Sequence, residues 1–258
     1  MIPKALVSGG RVRQRPDHIS ITFDAPRRSL STAIYGGGFR NIRYSLNQKL
    51  TTWYGKDSQF PGGSVPAYLR LCLEKQGMNP EEGCALLTSA RMDWASYHRE
   101  EKKHLIVEAI TTGGVEKTAC RATSPALYEE WDGQYVQVGT INMMISINGH
   151  LPDAIMARAL ITATEGKTAA LSDLGIADVN TGCPATGTCT DGITLITDPT
   201  GPRYRDAGTF ALLGSFIAKV AYETVYECIS LFDRPWNQFA ELKTPPAVLL
   251  DHKRPAGS

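Results

Sequence analysis

The sequence predicts a mixed α/β or α+β fold: a single-domain layered sandwich of mixed sheet and helices, not a Rossmann fold. Three observations lead there. Strand-like alternation and helix-like periodicity are interleaved without a regular strand–helix–strand rhythm. No linker divides the 258 residues. The G-x-G-x-x-G turn of a dinucleotide-binding doubly wound sheet is missing.

The first strand is expected over His18–Phe23, where Ile19, Ile21 and Phe23 alternate with Ser20 and Thr22. A second apolar and hydroxyl-rich stretch, Ser29–Tyr35, runs into Gly36-Gly37-Gly38. Ser64 is a natural N-cap, and Pro66 suits the first turn of a helix through about Lys75 that buries Val65, Leu69 and Cys72. Cys84–Ser89 and His104–Thr111 read as strands, and one hairpin-like pair is expected. Ile141, Met143, Ile145 and Ile147 give the clearest alternation, with Asn142 and Ser146 on the opposite, non-core face.

Pro152 and Asp153 open the next helix and Gly175 stops it. Met156, Leu160, Ala163, Leu171 and Leu174 share one apolar arc at helical spacing. Lys167 falls in the middle of that arc, whereas Glu165 points almost the opposite way. A glycine- and hydroxyl-rich loop, Asn180–Asp191, leads to a short strand near Ile193–Thr197. The last helix is expected over Phe210–Leu231, with Phe210, Leu213, Ile217, Val220, Thr224 and Cys228 on one face. The core should span residues 10–242 or so. The first nine or so residues and the proline-bearing tail from Lys243 to Ser258 read as loosely held extensions.

With 42% hydrophobic and 21% charged residues, the composition is that of a globular protein. Lys plus Arg number 27 against 26 Asp plus Glu, and no basic stripe is visible, so no nucleic-acid partner is expected. No apolar run approaches the ~18 residues of a membrane span, and Met1-Ile2-Pro3-Lys4 lacks the apolar centre of a secretory signal. Six scattered cysteines (Cys72, Cys84, Cys120, Cys183, Cys189 and Cys228) fit reduced thiols. The expected compartment is the cytoplasm. Walker A, H-E-x-x-H and G-x-S-x-G patterns are absent, and neither Cys nor His spacing suggests a metal.

Three blocks together resemble the adenosylcobinamide amidohydrolase (CbiZ) family. The first is Ser31-Thr32-Ala33 followed by Gly36-Gly37-Gly38 and then Asn47. The second is Gly139-Thr140-Ile141-Asn142 leading into the helix that carries Thr162-Ala163-Thr164-Glu165-Gly166-Lys167-Thr168. The third is Gly187-Thr188-Cys189-Thr190-Asp191, followed by Ala207-Gly208-Thr209 and Leu213-Gly214. Order and approximate spacing match from about Ser29 to Tyr226. The chain departs from the family at Thr88-Ser89-Ala90 and at Cys189, and Gly182–Ala185 and Trp131-Asp132-Gly133 are distinctive. Loops around a pocket are where specificity changes, so the substrate stays open.

The resemblance implies hydrolysis of the amide joining a corrin propionate side chain to aminopropanol, giving cobyric acid. It implies a small-molecule corrinoid partner, with cobalt only as part of the substrate; the absent ligand signatures give no reason to expect a resident metal or cofactor, and a homo-oligomer stays open. Alternatives are another imported metal chelate such as a siderophore, or a non-catalytic corrinoid-binding module. An amide hydrolase must position a nucleophile, accept its proton and stabilise a developing oxyanion. Lys167 is the leading candidate, since a lysine on an apolar arc either snorkels outward or pairs with a carboxylate in a polar cleft. Asp191 is the preferred general base, with a turn carboxylate as the plain alternative. Glu165 is the second candidate base, or else a solvated helix charge. The Asn142 amide either donates to an oxyanion or makes a cross-strand bond. For substrate binding the candidates are Gly36, Gly37 and Gly38, whose backbone could approach a flat ligand or simply make a tight connection, together with Asn47, Thr164, Thr188 and Thr190.

Overall fold

A computed structural model describes residues 1–125 and 139–231, and its architecture is the mixed α/β sandwich that the sequence predicts. The described residues build an eight-stranded sheet from β1 (Arg11–Gln14), β2 (His18–Ser31), β3 (Gly38–Lys49), β4 (Gly83–Thr88), β5 (Ser96–Lys102), β6 (Leu105–Gly113), β8 (Ile141–Ile147) and β10 (Gly192–Thr197). Its order is β4-β3-β2-β10-β8-β6-β5, with β1 pairing on β2. The β3–β4 and β10–β8 pairs are parallel and the rest antiparallel, which sets this sheet apart from a doubly wound one. A second ribbon pairs β7 (Ala119–Cys120) with β9 (Gly187–Thr188).

The two expected strands at His18–Phe23 and Ser29–Tyr35 are one strand, β2, bent where its register against β3 shifts between Thr22 and Arg27. Its first half pairs with β1 and its second with β10, so the bend lets one strand serve two neighbours. β5 and β6 form a hairpin that turns through Lys103, whose φ is 56°.

Helices α2 (Asp153–Asp173) and α3 (Leu212–Ser230) cover one face of the sheet. Met156, Ala159, Ala163 and Leu171 meet Ile141, Met143, Ile145 and Ile147 there, and Ile217, Val220 and Val225 complete the layer. Gly166 lets the two helices touch, because a Cβ on it would lie 2.4 Å from the Ala218 carbonyl oxygen. Ile110, Met144 and Ile196 point the other way, into a cluster with Ile19, Ile21, Phe23 and Leu6. Both faces of β8 are therefore buried, and the expected non-core face at Asn142 and Ser146 is an interior one. Helix α1 (Val65–Lys75), capped by Ser64 as expected, packs on β3 and β4.

Two further expectations change. Phe210 is exposed and precedes α3 instead of lying on its buried face. The N-terminal stretch is held: Leu6 is buried, and the Val7 and Ser8 amides donate to the buried Glu108 carboxylate at 3.1 and 2.6 Å. The Trp131-Asp132-Gly133 loop and the tail from Lys243 lie outside the described residues. No helix among the described residues is long and apolar enough to cross a membrane.

Candidate active site

A cleft of about 560 Å³ opens where the C-terminal end of β4, the start of β8, the β9–β10 turn and the loops following β2, β3 and β7 meet. Trp53, Tyr54 and Phe60 furnish one wall; Leu86, Leu87 and Ile34 add apolar surface. Phe60 packs against Tyr54 with ring centroids 4.5 Å apart and against Tyr68 at 5.7 Å. Polar lining comes from Thr140, Asn142, Thr188, Thr190 and Asp191, of which Asp191 is taken as the floor.

Asp191 anchors the floor. Its Oδ1 accepts from the Ile141 amide at 3.2 Å, the Thr188 amide at 3.1 Å and the Thr188 hydroxyl at 2.5 Å. Its Oδ2 accepts from the Thr188 amide at 3.1 Å and from the Lys167 ammonium. Lys167 reaches this point from α2 and also donates to the Thr186 carbonyl at 3.0 Å. The lysine on the apolar arc is thus buried and paired, and does not snorkel. Burial of such a pair is tolerable because each charge is met by the other and by additional hydrogen bonds.

Gly187 is dictated by this packing. A Cβ there would lie 2.3 Å from Asp191 Oδ2 and 2.5 Å from Lys167 Nζ, so only glycine lets the chain cross the ion pair.

Asn142 lines the cleft but is differently employed from the expected oxyanion donor. Both its amide hydrogens are spoken for: Nδ2 donates to Asn47 Oδ1 at 2.8 Å and to the Leu87 carbonyl at 2.9 Å. Asn47 lies behind it, buried and donating to the Thr112 hydroxyl at 2.8 Å, and is not part of the cleft lining. Thr140 donates to the Thr190 carbonyl at 2.6 Å and Thr190 to the Gly139 carbonyl at 3.2 Å, which ties the β9–β10 turn to β8.

The remaining candidates lie elsewhere. Glu165 and Thr164 are exposed on α2, and Thr164 donates back to the Leu160 carbonyl at 2.9 Å, so neither reaches the ion pair or the cleft. Gly36, Gly37 and Gly38 make the tight connection from β2 to β3, outside the cleft lining. Gly36 and Gly38 have φ of 66° and 77°, and a Cβ on Gly37 would strike the Ala33 carbonyl at 2.2 Å.

Three further features shape the cleft. The aromatic wall comes from a loop with no periodicity to reveal it. The rim is organised by Asp178, which accepts from the amides of Arg121, Asn180 and Thr181 and from the Ser124 hydroxyl. Burial works to raise the Asp178 pKa, but Ser124 and those amides outweigh it and hold the carboxyl below its usual range. Finally, Cys120 and Cys189 both line the cleft. Burial first, and then Cys189, push the Cys120 thiol up to about 12, so it is protonated at neutral pH and a poor nucleophile. Among the described residues no group of three His, Cys, Asp or Glu side chains could hold a metal ion.

The CbiZ family model, adenosylcobinamide amidohydrolase, matches residues 3–234 of the chain. An uncharacterized protein of Methanocaldococcus jannaschii is 30% identical over 248 residues, covering 90% of this chain and 93% of that protein. Two solved structures resemble it more distantly. A Pyrococcus horikoshii protein aligns with a TM-score of 0.45 and 12% identity, over 89% of this chain and 81% of that one. A Burkholderia beta-aminopeptidase aligns with a TM-score of 0.46 and 9% identity, over 88% and 82%.

Proposed function

The chain belongs to the adenosylcobinamide amidohydrolase family, and from that premise we propose that it hydrolyses the amide between a corrin propionate side chain and aminopropanol, yielding cobyric acid in cobamide salvage. The observation that carries this reading is a hydroxyl–carboxylate–ammonium chain in which Thr188 and Asp191 line a cleft with aromatic residues and Lys167 holds Asp191 from behind. Acyl transfer needs a proton acceptor held in a fixed orientation beside the carbonyl carbon. In this reading Asp191 is that acceptor and Lys167 fixes it. The cleft volume lies within the usual range for small-molecule sites. The aromatic wall suits the flat edge of a corrin, and Asn142 Oδ1, whose amide nitrogen is committed elsewhere, is an acceptor for a propionamide N–H. Cobalt enters only as part of the substrate.

The test is product analysis. Purified protein incubated with adenosylcobinamide should release aminopropanol and cobyric acid in equal amounts, measured by mass spectrometry. Retention of the red corrinoid through desalting without release would make the chain a binding module. Neither retention nor release would remove corrinoids as its substrate.

A further inference from the structure

We infer that Thr188 is a nucleophile, and that hydrolysis passes through an ester between the corrin acyl group and Thr188 Oγ1; this rests on the amidohydrolase reading above. The argument begins with what Asp191 can still accept. A carboxylate offers about four lone-pair positions. Here they already receive two backbone amides, the Lys167 ammonium and the Thr188 hydroxyl, with the Thr188 amide shared between both oxygens. A water approaching Asp191 to be deprotonated would have to displace one of these. The Thr188 proton needs no such displacement, because Thr188 Oγ1 already donates it to Oδ1 across 2.5 Å.

Thr188 is also suitably placed. Its residue is nearly buried yet lines the cleft, and its strand β9 is fixed by pairing with β7. The carboxylate that would take its proton is oriented by a third group, Lys167, which is the arrangement of activated hydroxyl nucleophiles. Among the neighbouring hydroxyls, Thr140 and Thr190 donate to backbone carbonyls, while Thr32 and Thr88 accept from the Ile193 and Ala90 amides. Ser124 donates to Asp178, a carboxylate that ties the rim loops together through three backbone amides.

The chemistry balances without redox change. Thr188 Oγ1 bonds to the amide carbon, its proton passes to Asp191 Oδ1, and the carbonyl π pair moves to oxygen. The oxygen pair then re-forms the carbonyl as the C–N bond breaks, the nitrogen takes the proton from Asp191, and aminopropanol leaves an ester on Thr188. Water adds to that ester and gives its proton to Asp191. The C–O bond breaks with the proton returning to Thr188, and cobyric acid departs. The sum is amide plus water to acid plus amine.

The experiment has a substrate arm and a substrate-independent arm. With cobinamide, the inference expects a burst of aminopropanol and, on adding hydroxylamine, cobyric hydroxamate. Thr188→Val, which keeps the shape, should lower turnover by about 10³-fold or more, while Thr188→Ser should retain a measurable fraction of it. Steady release by Thr188→Val, or wild-type turnover with neither burst nor hydroxamate, would overturn the nucleophile and leave the amidohydrolase reading standing. If wild-type protein releases no aminopropanol, that reading fails, and the second arm decides separately. A β-lactone acylating probe followed by peptide mapping should label Thr188; no label there, or label on Ser124, would overturn the inference.

Discussion

The Lys167 ammonium and the Asp191 carboxylate form an ion pair whose side chains are only 7% and 14% exposed. Removing one partner from such a pair leaves the other charge buried alone, at a cost of about 3–5 kcal/mol. Lys167→Met should therefore lose both activity and stability, with a melting temperature several degrees below wild type in calorimetry. A Met variant with unchanged melting temperature would mean that the pair is not desolvated as the geometry requires.

Gly187→Ala adds one methyl group, but it places that methyl against both charges at 2.3 and 2.5 Å. The pair must separate or β9 must shift. Turnover should fall by about 10²-fold, the scale of a 1 Å misplacement in an active site, while far-ultraviolet circular dichroism stays near wild type. Full activity in the alanine variant would show that the pair and β9 can move apart at no catalytic cost.

The aromatic wall should act on binding and not on the chemical step. Trp53→Ala and Tyr54→Ala remove surface that contacts substrate equally in ground and transition states. Their KM should rise by about 10-fold with kcat little changed, the signature of lost uniform binding. A fall in kcat at constant KM would place these side chains nearer the reacting bond.

Asp178 makes a prediction about acid. Its folded pKa lies below the ordinary 3.8, so the stability it contributes is present above that value and is lost as pH falls through the folded value. Asp178→Asn should lower the melting temperature at pH 7, and the difference from wild type should shrink towards pH 3. A gap that is constant across this range would assign the effect to hydrogen bonding alone.

Cys120 and Cys189 line the cleft, yet Cys120 is held as a thiol. Cys120→Ala should keep at least half of wild-type turnover, and iodoacetamide at pH 8 should leave Cys120 unmodified in peptide maps. Loss of turnover by more than about 10²-fold would restore a thiol to the mechanism.

Parts of this were legible in the sequence because their periodicity is strong. The Ile141–Ile147 alternation and the helical arc around Lys167 follow from how strands and helices present side chains, and they located β8, α2 and a buried lysine. What periodicity cannot reveal is the second face of a strand. β8 sits in mid-sheet with both faces covered, so Asn142 went inward, where its amide pairs with Asn47 and Leu87. Motif proximity also misleads: Thr164 and Glu165 share a helix with Lys167 but lie on its exposed side. Glycines before a strand likewise do not distinguish a ligand cradle from a tight connection, and Gly36–Gly38 are the latter. The β2 bend, the aromatic loop and the Asp178 hub depend on contacts between distant segments, to which a local pattern is blind.

The most direct test compares wild-type protein with Asp191→Asn for cobinamide binding and aminopropanol release in the same preparation. The account predicts similar corrinoid affinity, with release slowed by about 10³-fold, within the range attributed to a positioned proton acceptor. Release at the wild-type rate from the asparagine variant would contradict it.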